Sequence, residues 1–227
     1  MDGYNLFYGC LKGTPFKWLD VAALLRQILH QQDPDSVLSL TKYFTSHVLG
    51  KFSVHGQESE RAQQAYLRAL QATKEIDVVL GRYSARKDRA LRFCKPPNLA
   101  KRVSIWRLEE KETDVSIAIS MYRDVVLGEV DQILLVSNDS DMCPALQFIR
   151  QDFPKIRIGL VVPSRPDKGE DSNRVVTEHL VQHADWTRSV IQDRELASCQ
   201  FPDRVRTGGK PADKPSLWRT LALPAPP

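Results

Sequence analysis

The sequence predicts a three-layer α/β protein with a mostly parallel central sheet and helices on both faces. Two observations carry this. Short apolar runs alternate with helical spans along most of the chain, and acidic residues recur where an apolar run gives way to a helix. The length of 227 residues suits one sizeable core, read as a domain over 1–200 followed by a flexible, proline-rich, basic tail over 201–227.

Lys17 to Gln31 has Leu19, Ala22, Ala23, Arg26, Ile28 and Leu29 at helical spacing, and a turn at Asp33 to Ser36 follows. Val37 to Phe44 reads as a buried strand. Ser59 to Lys74 reads as a second helix, with Ala62, Ala65, Tyr66, Ala69 and Leu70 on one face. Strands are then expected at Ile76 to Leu80 and, after a basic segment broken by Pro96 and Pro97, at Val103 to Leu108. A helix from Asp114 to Leu127 presents Val115, Ala118, Met121, Tyr122 and Val125 inward. The remaining elements are a strand at Ile133 to Val136, a helix from Met142 to Arg150, a strand at Ile156 to Val162 and a helix around Asn173 to Gln182. From Pro202 onward, six of the 14 prolines fall in 26 residues, a composition that favours disorder.

The composition, 42% hydrophobic and 26% charged, excludes a chain disordered throughout. No apolar run reaches the roughly 18–20 residues a bilayer demands, and the first ten residues lack a basic segment followed by a hydrophobic one, so a cytoplasmic protein is expected. Cys10, Cys94, Cys143 and Cys199 are widely spaced and contain no Cys-x-x-Cys pair, which points to reduced structural thiols. His179 and His183, four apart on an expected helix, have no partner in a recognisable ligand pattern.

In open parallel sheets, ligands sit beyond the carboxyl ends of the strands. Ile133 to Val136 runs into Ser137-Asn-Asp-Ser-Asp141, which places Asp139 and Asp141 there, Asp141 as a helix cap. Asp114 opens the sheet-facing stripe of its helix where a leucine is expected. Asp2-Gly-Tyr-Asn5 brings Asp2 and Asn5 to the same side through a glycine-permitted turn. Singly, these residues are explained by a helix dipole, a cap and a turn. Together they form a set of carboxylates that repel one another unless a cation joins them, and hard oxygen ligands select Mg²⁺ or Mn²⁺. Asp2, Asp114, Asp139 and Asp141 are the candidate metal ligands. Asn5 is expected to fix a ligand or phosphate, and Lys111 to meet developing charge during phosphodiester hydrolysis.

Nine Lys/Arg against one acid lie between Arg82 and Arg107. Arg82, Arg86, Lys87, Arg89 and Arg92, with Tyr83, Phe93 and Trp106 interleaved, are candidates for binding a nucleic-acid backbone and stacking its bases, the alternative being a solvated surface.

Asp2-Gly-Tyr-Asn5, Glu110-Lys-x-x-Asp114 and Ser137-x-Asp-Ser-Asp141-x-x-Pro144, in this order, resemble the NYN domain family of PIN-like nucleases over residues 1 to about 185. The resemblance implies a PIN-like fold, a Mg²⁺ or Mn²⁺ site on Asp2, Asp114, Asp139 and Asp141, and cleavage of RNA. Family members usually carry an apolar strand just before the Asp-Gly-x-Asn motif, so the first strand is expected to be missing or truncated here. Glu112 stands where a glycine is common. The family also includes bacterial members described as NADH-dependent hydroxylases of 6-hydroxy-3-succinoylpyridine in nicotine breakdown, and this small-molecule chemistry stays open as an alternative. No Gly-x-Gly-x-x-Gly phosphate loop announces a dinucleotide site. A non-catalytic RNA-binding module is the third possibility.

Overall fold

Two groups of parallel strands, rich in β-branched and aromatic residues, build the sheet. A computed structural model describes residues 1–166 and 176–219. β1 (Thr41–Thr45) pairs in parallel with β2 (Ile76–Leu80), bringing Thr41 opposite Ile76. On the other side, β5 (Gln132–Val136), β6 (Arg157–Val161) and β7 (Trp186–Arg188) run parallel in that order.

The two groups are joined by Met1 and Asp2. Phe44 donates its N–H to the Met1 carbonyl at 3.0 Å, Asp2 donates to the Val136 carbonyl at 3.1 Å, and the Met1 amine donates to the Lys42 carbonyl at 2.8 Å. The order is therefore β2-β1-(Met1–Asp2)-β5-β6-β7, with Asp2 bridged to Phe44. Alongside β1 and β5, Met1 borders a cavity of about 1100 Å³ that Leu25, Phe44, Ile117, Met121 and Leu135 help to line. Thr41 Oγ1 and Gln132 Oε1, on the strands flanking this slot, are buried without a hydrogen-bond partner among the described residues.

Side-chain alternation divides the core. Tyr43, Leu134, Val136 and Val161 pack with α2 (Val21–Gln32) and α3 (Gln57–Ala72) on one face. Phe44, Ile133, Leu135, Ile158 and Leu160 pack with α4 (Thr113–Val126) and α5 (Cys143–Asp152) on the other. This is the expected three-layer α/β architecture, and it accords with a PIN-like fold. Asp20 caps α2 by accepting from Ala23 N–H at 3.0 Å, so that helix starts at Val21 rather than Lys17.

Several details differ from expectation. The basic segment is itself a strand, β3 (Arg82–Leu91), paired antiparallel with β4 (Arg102–Lys111) in a ribbon whose strands pair only with each other among the described residues. Its charged residues conceal a period of two because one face meets solvent and the other is only partly covered. In α4 the buried stripe is Ile117, Met121 and Val125, whereas Val115 is 62% exposed. Of the helix expected at 173–182, residues 173–175 lie outside those described, and the remainder is the short α6 (Glu178–Val181).

The tail expected to be flexible is folded as far as residue 219. Phe201 N–H donates to the Trp18 carbonyl at 2.9 Å, Trp18 Nε1 donates to the Pro202 carbonyl at 2.8 Å, and Trp218 packs edge-on against Trp18 and Tyr66. Aromatic anchors outweigh the proline content there. No helix among the described residues is long and apolar enough to cross a membrane, and none of the four cysteines forms a disulfide.

Gly3 opens the short helix α1 (Gly3–Leu6) directly against β1, where an added Cβ would lie 2.7 Å from the Tyr43 ring and 2.8 Å from the Phe44 carbonyl. Gly3→Ala is therefore expected to cost roughly 1–3 kcal/mol in chemical denaturation, through forced displacement at the sheet's seam. Glu112 has φ 74°, in the left-handed region that favours glycine. Glu112→Gly is expected to raise stability by up to about 1 kcal/mol, and Glu112→Val to lower it.

Candidate active site

The carboxyl ends of the Met1–Asp2 segment and of β5, together with the turn from β4 into α4, meet at one edge. Asp2, 6% exposed, accepts from Asn5 N–H at 2.8 Å through Oδ1 and from the Ser137 hydroxyl at 3.3 Å through Oδ2. Its placement follows from the seam hydrogen bonds and from α1, which it caps. Gly3 does not supply a turn with positive φ, as the motif suggested. It allows the helix to start in contact with β1.

After β5, Ser137 Oγ accepts from the Asp139 N–H at 3.1 Å, and Asp139 Oδ1 accepts from the Asp141 N–H at 3.0 Å. Asp139 thus caps the short 3₁₀ turn Ser140–Met142, and Asp141, assigned that role from sequence, is exposed within the turn. Asn138 braces the loop from behind, since its side-chain oxygen accepts from Thr177 N–H at 3.0 Å.

At the β4–α4 junction, Asp114 faces the same edge. Its carboxyl is held above the ordinary range, first by burial and then by the negative charges of Asp139, Asp2 and Asp141. Glu110 belongs with them, although sequence reasoning did not choose it. Burial raises its proton affinity, the Thr113 hydroxyl donating to Oε1 at 2.7 Å opposes that, and Asp2 and Asp114 add to the rise. Strand alternation held the signal: Glu110 lies on one face of β4 and Lys111 on the other, three residues of chain separating Glu110 from Asp114. Lys111 pairs with Glu109 at 3.6 Å rather than with the acid group. Gly81 makes the junction possible, because a Cβ there would lie 2.4 Å from Thr113 Oγ1 and 2.8 Å from the Lys111 carbonyl.

A tyrosine stack borders this edge. Tyr4 lies between Tyr8, centroids 6.1 Å apart, and Tyr83, 6.2 Å apart, with ring planes within about 21°. Tyr8 rises from a π-helical turn, Phe7–Leu11, that continues α1, and Lys12 Nζ sits 4.9 Å from its ring centroid. Burial, with Glu110 as a further contributor, pushes the Tyr4 phenol up to about 12, so it stays protonated.

The acids share an edge without closing round one point: among the described residues, no three His, Cys, Asp or Glu side chains are gathered as a metal-binding set. The expectation that Asp2, Asp114, Asp139 and Asp141 converge on a single cation is not met as a preformed cage. The donor chemistry nevertheless suits a hard cation, because every candidate is a carboxylate oxygen and Lys111 pairs with Glu109.

The sequence profile of the NYN domain matches residues 1–179. The chain belongs to the NYN domain family. The acid-bearing edge of this NYN domain is built from all three of the motifs that carried the resemblance. The chain is also similar to 6-hydroxy-3-succinoylpyridine 3-monooxygenase HspA of Pseudomonas putida (strain DSM 28022 / S16), at 35% identity over 243 aligned residues covering 96% of this chain and 73% of that protein. No solved structure matches it.

Crowded acids carry a stability consequence. A carboxyl whose pKa is raised on folding stabilises the fold when protonated, and that contribution is lost as pH rises through the folded value. Asp114→Asn and Glu110→Gln are each expected to give a small rise in thermal midpoint at neutral pH. The difference from wild type should shrink as pH falls through the carboxylate range, followed by circular dichroism melts from pH 8 to pH 4.

Proposed function

We propose that this NYN domain hydrolyses RNA phosphodiester bonds at the acid edge with the help of Mg²⁺ or Mn²⁺. One observation carries the reading: Asp114 and Glu110 have raised proton affinity beside Asp2, Asp139 and Asp141, a concentration of negative charge that a cation relieves. Mg²⁺ commonly binds through one or two carboxylates plus waters and substrate phosphates, so a loose set of acids suits it better than a closed cage does. Asp2, Asp114, Asp139 and Asp141 would hold the ion, which supplies Lewis acidity to a phosphoryl oxygen and lowers the pKa of water.

The chain's own groups do the rest. Asn5, fixed at the start of α1 by its N–H bond to Asp2, orients the phosphate. Glu110, whose proton affinity is raised at the edge of the acid group, serves as the general acid–base group that exchanges a proton with the leaving alcohol. Lys111, at the end of β4 and paired with Glu109, meets the charge that develops on the phosphoryl group.

A second reading has its own support in the similarity to a named monooxygenase across 96% of this chain. On that reading a pyridine ring would stack against the tyrosines, dioxygen would supply the hydroxyl oxygen, and NADH the two electrons with which the other oxygen atom leaves as water. The two are separated by incubating the protein with labelled single-stranded RNA and Mn²⁺, and in parallel with 6-hydroxy-3-succinoylpyridine and NADH, each beside Asp139→Asn. Cleavage that slows on the order of 100-fold or more in the variant is the expected result. NADH consumption that depends on the pyridine, without RNA cleavage, replaces the nuclease reading with the second. Inactivity in both arms leaves a non-catalytic RNA-binding module.

A further inference from the structure

The register of the β3–β4 ribbon divides its side chains into two faces, because directly opposed residues share a face and neighbours alternate. Arg86 opposes Arg107, Ser84 opposes Glu109 and Asp88 opposes Ile105, which puts these on one face with Arg82 and Lys111. Each cation of that face has an acidic neighbour. Arg107 bonds Asp88 at 2.5 Å, Arg86 and Arg107 reach Glu109 at 3.3 and 3.8 Å, and Arg82 lies 3.8 Å from Glu112.

The opposite face carries Tyr83 beside Glu110, Ala85 beside Leu108 and Lys87 beside Trp106, followed by Arg89. It turns toward the body of the protein: Tyr83 stacks on Tyr4 at the acid edge, and Trp106 packs on Phe52 with centroids 5.3 Å apart. Lys51 Nζ sits 5.9 Å from the Trp106 ring centroid. Among the described residues, no carboxylate forms an ion pair with Lys51, Lys87 or Arg89, and Trp106 remains 52% exposed. From the Tyr83 pair to the Trp106 pair is four residues, about 13 Å of strand.

We propose that single-stranded RNA runs along this inner face, its bases stacking on Trp106 and on the tyrosines and its phosphates meeting Lys51, Lys87 and Arg89. The arginines of the outer face hold the ribbon together instead of binding the strand. This deepens the RNA reading of the acid edge and rests on it for the identity of the ligand. Exposed aromatic rings interleaved with unpaired cations are the pattern that binds unpaired nucleotides, because every base offers a π-face and phosphates require uncompensated charge. Arg82 and Arg86, chosen from sequence by charge alone, are thereby separated from Lys87 and Arg89, chosen by the same criterion.

The test is fluorescence anisotropy of the full chain with a labelled oligouridine in EDTA, where binding is read without hydrolysis. Trp106→Ala, which changes no charge, is expected to weaken binding about tenfold, Trp106→Phe to restore most of it, and Lys87→Glu to weaken it at least as much. Arg82→Glu with Arg86→Glu, a larger charge reversal, is expected to change affinity no more than two- to threefold. An outer-face loss equal to or greater than the inner-face loss overturns the proposal, as does wild-type protein that binds no oligouridine. Since a melt records folding of each variant, loss of affinity with an unchanged melt counts for the proposal, and retained affinity of Trp106→Ala counts against it. Binding through Trp106 without Mn²⁺-dependent cleavage would remove the nuclease reading alone.

Discussion

Two backbone hydrogen bonds, Asp2 to Val136 and Phe44 to Met1, hold the halves of the sheet together across Met1 and Asp2. Everything at the acid edge depends on this seam. The β1–β2 group and the β5–β7 group each have an internal ladder, but Asp2 sits where they meet, with one carboxyl oxygen on Asn5 and the other on Ser137. The residue that closes the sheet is thus the same residue that begins the site. Gly3 follows because the chain must turn immediately into a helix in contact with β1.

The electrostatics then follow from topology. Three chain segments end at one edge, each ending in an acid, and burial of Glu110 and Asp114 compounds their mutual repulsion. Such a concentration of like charge opposes folding and is retained at functional sites in spite of that. The cations of the ribbon do not quench it. Those on the outer face are consumed by Asp88, Glu109 and Glu112, and Lys111 turns to Glu109. Positive charge without an acidic partner lies further along the inner face.

Much of this architecture was legible in the sequence, for reasons that differ by element. Ile76–Leu80 and Ile133–Val136 are short runs rich in branched aliphatic residues, so both are plain in the sequence. The three acidic motifs were legible because each stands at a strand-to-helix junction. What was hidden was whatever lacked a buried face or reversed a compositional habit. β3 reads as a charged loop because its outer face is solvated and its inner face only partly covered, and β7 is three residues long. Residues 201–219 read as disorder because the docking of Phe201 and Trp218 depends on Trp18, nearly 200 residues away in the chain. Choosing Val115 over Ile117 for the inward face of α4 missed by two residues, since the apolar residues of that helix surround it on several sides. Glu110 was passed over because its neighbours Glu109, Lys111 and Glu112 make it look like one more surface charge. Only the pleat of β4 distinguishes it.

The slot beside Met1 has a practical side. The Met1 amine is hydrogen-bonded to Lys42 inside the protein and borders a cavity whose walls are the edges of β1 and β5. A handle joined ahead of Met1 would enter that slot between β1 and β5, at the seam that positions Asp2, so the position of a handle belongs among the variables of any assay.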